Sequence, residues 1–124
     1  MSVAGAWTAV FLMMILVIYG QIVLKIRITA AGQMGEGAAG LASFLVRLLL
    51  DPWVWTCLAA GFIGGLCWMA ALSRLSLSIA YPFAAVMIAG VLVANAMVFG
   101  EPIRLLHVVG VGLIALGLLS IAQA

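Results

Sequence analysis

The chain has 124 residues, 69% of them hydrophobic and 6% charged, with a net charge of +2 and a mean hydropathy of +1.43. A soluble domain carries roughly 25% charged residues, so a soluble globule of this composition would have an apolar surface. That class is excluded, and a charge of +2 gives no footing for nucleic acid.

The first apolar run predicts a membrane-spanning helix over about 3–25. Its basic residues follow the run instead of preceding it, the reverse of a secretory signal, so the segment reads as a permanent span. Near its end stand Gln21 and Lys25, which share one helix face at i and i+4, with Arg27 just beyond. An amide and an ammonium on an otherwise lipid-soluble stripe are candidate substrate contacts, because polar groups in lipid cost free energy and are usually functional.

Residues 26–51 make the longest connection. Its opening, AAGQMGEGAAG, reads as a flexible loop. The continuation, LASFLVRLLLD, is too short to span and suits an interfacial amphipathic helix over about 40–50, with Arg47 and Asp51 towards water. An N-terminal extension of the second span reads equally well.

The second span, about 52–72, is entered through Asp51-Pro52, an N-cap followed by a proline suited to the first helical turn. Gly61 and Gly65, with Ala60 and Gly64 beside them, form one face for close helix packing. Cys57 and Cys67 lie too far apart on one helix to bridge. A tight connection near Arg74 leads to the third span, about 77–99. There Pro82 removes a backbone donor and leaves the Ser78 carbonyl without its usual partner, which predicts a kink. Tyr81 and Asn95 are the further polar candidates on this span. Gly100-Glu101-Pro102 then leads to the fourth span, about 103–123, lightened by Gly110, Gly112 and Gly117. Short links make these helices antiparallel neighbours in a single four-helix domain over 1–124. Lys25, Arg27, Arg47 and Arg104 gather on one side and Arg74 on the other, which favours both termini outside.

Catalysis finds little material. His107, Asp51, Glu36 and Glu101 are scattered, and no nucleophile–base pair, metal cluster, phosphate loop or cofactor motif is visible. The reading is a transporter, not an enzyme. None of the four spans contains a carboxylate, which a proton-coupled cation exporter needs, whereas cations cluster at helix ends, where Arg104 and Lys25 can meet phosphate. That balance favours an anionic or lipid-linked substrate.

Gly20-Gln21-x-x-x-Lys25, Ile79-Ala80-Tyr81-Pro82, and Glu101-Pro102 followed by a Gly-rich last helix occur in order along the chain. In size and helix number the chain resembles the small multidrug resistance group of the drug/metabolite transporter superfamily. Its motifs are most similar to the small subunits of the 4-amino-4-deoxy-L-arabinose-phosphoundecaprenol flippase. The essential glutamate of the drug exporters falls on Val17 and their cavity tryptophan on Ala84, while their cavity tyrosine matches Tyr81. The resemblance implies a multi-pass protein of the bacterial inner membrane that works as a homodimer or a heterodimer with a similar subunit. It also implies translocation of an undecaprenyl-phosphate-linked sugar such as aminoarabinose for lipid A modification. The expected substrate contacts are Gln21, Lys25, Tyr81, Pro82 and Asn95, with Arg27 or Arg104 at the phosphate. Two alternatives stay open: a small multidrug resistance-type exporter of small molecules or cations, and an accessory membrane subunit of a glycosyltransferase system.

Overall fold

A computed structural model describes residues 2–124, apart from the side chains of Tyr81, Phe83 and Ala84. The described residues form six helices: α1 (Val3–Ala31), α2 (Gly37–Leu49), α3 (Pro52–Leu72), α4 (Leu77–Ala84), α5 (Val86–Phe99) and α6 (Leu105–Ala122). Among them α1, α3 and α6 are long and apolar enough to cross a membrane.

Helix α1 opens on Ser2, whose hydroxyl accepts from the Gly5 N–H at 3.0 Å. It does not stop at Lys25. Nothing in Lys-Ile-Arg-Ile-Thr-Ala-Ala breaks a helix, and the chain leaves only at Gly32, which takes φ 84°. At 1.5 Å per residue its 29 residues measure about 43 Å, against a hydrocarbon core of roughly 30 Å. Lys25 and Arg27 make the C-terminal turns the end suited to project past the core. The expected flexible loop shrinks to residues 32–36 between Gly32 and Gly37, both at positive φ, because the alanines on either side propagate helix.

Helix α2 is a separate element and not an extension of α3, since the chain leaves the helix at Asp51, which is extended (φ −83°, ψ 120°). The Asp51 carboxylate caps α3 through the Trp53 N–H at 3.0 Å, with Pro52 in the first turn.

The core is the seam between α1 and α3. A Cβ on Gly64 would meet Val17 and the Met13 carbonyl, and one on Gly20 would meet the Cys57 carbonyl. Rising numbers on α1 thus face falling numbers on α3, so the pair is antiparallel. The same register sets Ala6 against Ala71, both fully buried. Ala6, Met13 and Gly20 on one side and Cys57, Gly64 and Ala71 on the other repeat every seven residues, the period of a shallow left-handed crossing. Small residues let the backbones approach, which in lipid replaces the missing hydrophobic drive with dispersion contact. Tyr19 and Thr56 join the two helices through their hydroxyls at 3.1 Å. Thr56 spends its proton on the Trp53 carbonyl at 2.6 Å, so Tyr19 is the donor.

The expected third span is divided. Helix α4 contains Pro82, and at Ala85 the ladder tightens to bonds from Ala85 N–H to the Pro82 carbonyl and from Ile88 N–H to the Ala85 carbonyl, each 3.0 Å. Helix α5 meets α1 where Gly90 faces Ile18 and ends at Gly100, φ 66°. Helix α6 begins at Leu105, two residues later than expected. Arg104 is extended, and its N–H is accepted by His107 Nδ1 at 3.1 Å, which closes the first turn. Helix α6 contacts α4 and α5 and buries no side chain.

Candidate functional site

Gln21 lines a groove of about 180 Å³ between α1 and α3, together with Leu16, Val17, Gly20, Val54 and Gly61. Gly20 adds no side chain there, which gives the groove its depth. The carboxamide is the one strongly polar side chain among these apolar walls, and among the described residues it has no hydrogen-bond partner. Val17 packs on Gly64 and lines the same groove, so the wall holds methyl groups where a drug exporter would carry its acid.

Lys25 stands one turn beyond Gln21 on the same face. It is exposed and has no side-chain partner among the described residues. Arg27 differs: its Nε is 2.5 Å from Asp51 Oδ2. Sequence reasoning took Asp51 only as a cap pointing to water. The structure turns one of its oxygens to Arg27, and its side chain keeps only 14% exposure. Burial alone would push the Asp51 carboxyl up, but the Arg27 guanidinium and the Trp53 N–H outweigh it and hold the group below the usual carboxylate range. The spacing between Arg27 and Asp51 gave no local signal, since only the antiparallel register brings them together.

Pro82 lines a different space. With Ala85 and Ile88 it faces Ile114, Gly117 and Ile121 across an apolar groove of about 580 Å³. It also borders a shallower one of about 380 Å³ beside Trp68, Leu77 and Ser78. Tyr81 falls on α4, and its side chain lies outside the described ones. Asn95 is half-buried on α5, with no hydrogen-bond partner among the described residues. Arg104 is exposed at the N-cap of α6. Gln21 and Pro82 therefore line separate grooves of one chain.

The packing glycines divide in the same way. Ala60 and Gly64 of α3 are buried, Gly64 against α1, while a Cβ on Gly61, Gly65, Gly110 or Gly117 would meet nothing within 4 Å. The seven-residue spacing of Cys57, Gly64 and Ala71, matched on α1, is the signal that distinguishes the two adjacent small-residue faces.

Comparison with known proteins adds a family. The chain is 36% identical over 76 residues to a protein of Pseudomonas aeruginosa named probable 4-amino-4-deoxy-L-arabinose-phosphoundecaprenol flippase subunit ArnE, covering 61% of this chain and 66% of that one, just under two thirds. It is 30% identical over 107 residues to the protein of the same name from Hamiltonella defensa, covering 85% and 96%. The like-named protein of Pseudomonas fluorescens is also 30% identical over 107 residues, covering 82% and 94%. No family model matches, and no solved structure matches.

Proposed function

Because the chain belongs to the ArnE-type small flippase subunits, we propose that it moves an undecaprenyl-phosphate-linked sugar, such as aminoarabinose, between the leaflets of the bacterial inner membrane. The observation that carries the reading is the contrast between Lys25 and Arg27. Arg27 is committed to Asp51. Lys25 is an uncommitted cation one turn from an unpartnered amide in a groove along α1 and α3. A phosphate at the level of Lys25 would place a polar head within reach of Gln21, and the polyprenyl tail would stay among apolar helix faces.

In this reading α1, α3, α4 with α5, and α6 make four spans, since the apolar stretch from Leu77 to Phe99 is interrupted only at Ala85. One chain leaves Gln21 and Pro82 in separate grooves, so a second similar subunit completes the path. The open glycines Gly61, Gly65, Gly110 and Gly117 and the half-buried Asn95 are where it would pack. Arg104 supplies a second cation beside the phosphate level.

The test is reconstitution in vesicles, alone and with the paired small subunit, using a labelled polyprenyl-phosphate sugar. Movement of label between leaflets is expected. Absence of movement together with activation of a co-purified glycosyltransferase would establish an accessory subunit instead. Proton-driven efflux of toxic cations that survives Glu101→Gln would establish an exporter.

A further inference from the structure

Helix α2 is the most amphipathic of the six helices. Leu48 is 7% exposed and faces the protein with half-buried Phe44. Leu41, Leu45 and Leu49 recur every four residues and form a second apolar stripe, 45%, 47% and 49% exposed. Ser43 and Arg47 occupy the side away from that stripe, and exposed Val46 and Leu50 lie on the flank between them. At 13 residues the helix measures about 20 Å, too short to cross a core of roughly 30 Å.

Its height is fixed by three bonds. Arg47 Nη1 donates to the Ala31 carbonyl at the end of α1, at 3.2 Å. Trp55 Nε1 donates to the Leu49 carbonyl at 2.7 Å, which joins the end of α2 to the start of α3. Asp51, two residues past α2, is held by Arg27. Two of them, at Ala31 and Arg27, engage the C-terminal end of α1 beyond Lys25. Exposed Trp53 and Trp55 sit at the same level, where interfacial aromatics concentrate.

We propose that α2 docks on the lipid of this leaflet, with Leu41, Leu45 and Leu49 among the acyl chains and Arg47 at the phosphates. Lipid is the occupant because α2 packs against both α1 and α3, two helices long and apolar enough to cross a membrane. The charge also fits: Arg47 lies over Phe44 at 5.9 Å and is exposed, so its remaining N–H groups are available to a head-group phosphate. This inference depends on membrane residence alone and not on the substrate proposed above.

The experiment places a nitroxide at Leu41, Leu45, Leu49 or Ser43, one at a time, on the full chain with Cys57 and Cys67 replaced by alanine. The vesicles contain phosphatidylethanolamine and phosphatidylglycerol. Labels at positions 41, 45 and 49 should collide more with oxygen than with a water-soluble nickel chelate, and the label at 43 should show the reverse. Equal nickel access at 43 and 45 would overturn the proposal by putting α2 in water. Shielding of position 45 from both reagents would overturn it in favour of a protein cover. Should labelled chains fail to insert, the unaltered chain can be irradiated with a phospholipid bearing a diazirine on its acyl chain. Adducts within Leu41–Leu49 are expected, and their absence beside adducts on α1 and α3 would refute the docking.

Discussion

Arg27 and Asp51, 24 residues apart in sequence, form an ion pair that ties the overhanging end of α1 to the first turn of α3. Asp51 serves both partners, one oxygen on Arg27 and the other on the Trp53 N–H. Asp51→Asn retains an acceptor for the cap and loses the charge. It should lower the thermal midpoint in detergent by a few degrees at pH 7, and Asp51→Ala, which loses both, should lower it further.

The same carboxyl sets an acid limit. Its folded value lies below the ordinary one, so its contribution is complete above the usual carboxylate range. It disappears as pH falls through the lowered value. Melting curves from pH 7 down to pH 3 should show a decline in the wild-type chain that is shallower in Arg27→Gln and Asp51→Asn.

Lys25→Ala should cut translocation of the labelled lipid-linked sugar by roughly 10- to 100-fold, the loss of one charge-assisted hydrogen bond of about 1.5–3 kcal/mol. Insertion should be unchanged. Lys25→Arg should restore part of the activity. Equal activity in Lys25→Ala would remove this residue from the substrate path.

The two small-residue faces of α3 make opposite predictions. Gly64→Val drives a branched side chain into Val17 and the Met13 backbone and should cost about 1–3 kcal/mol of stability. Gly61→Val meets nothing within the chain and should leave the melting curve of the single subunit unchanged. If a second subunit packs there, the same variant should weaken pairing in a cross-linking assay. Tyr19→Phe removes the interhelical hydroxyl bond and should cost about 0.6 kcal/mol.

Pro82→Ala returns an N–H to the Ser78 carbonyl and favours one continuous helix from Leu77 to Phe99. Translocation should fall while expression and insertion hold. Unaltered transport would show that the break at Ala85 has no part in substrate passage.

The apolar runs and their caps were legible because they depend on neighbours a few residues away. Pro52 beside Asp51 marked the start of α3, and Pro82 marked an interrupted helix. What the sequence hid depends on register. Lys25 looked like the end of α1 because charge was read as a boundary, yet the backbone responds to breakers, and the first residue to leave the helix is Gly32. Arg27 looked equivalent to Lys25 until the antiparallel seam put Asp51 beside it. Gly61–Gly65 and Ala60–Gly64 read as one contact face from spacing alone, and only the pairing with Met13 and Val17 singles out Gly64.

The seam between α1 and α3 also has a timetable. Ala6 finds Ala71 only after the intervening residues have been made. At about 5–20 residues per second that takes roughly 3–13 seconds. Throughout that interval α1 must persist in the bilayer without α3, the face that carries Ala6, Met13 and Gly20 open to lipid. Its length and its freedom from charge before Lys25 suit it to that wait. A nascent chain arrested before Cys57 should therefore already hold α1 across the membrane, still free to turn about its own axis.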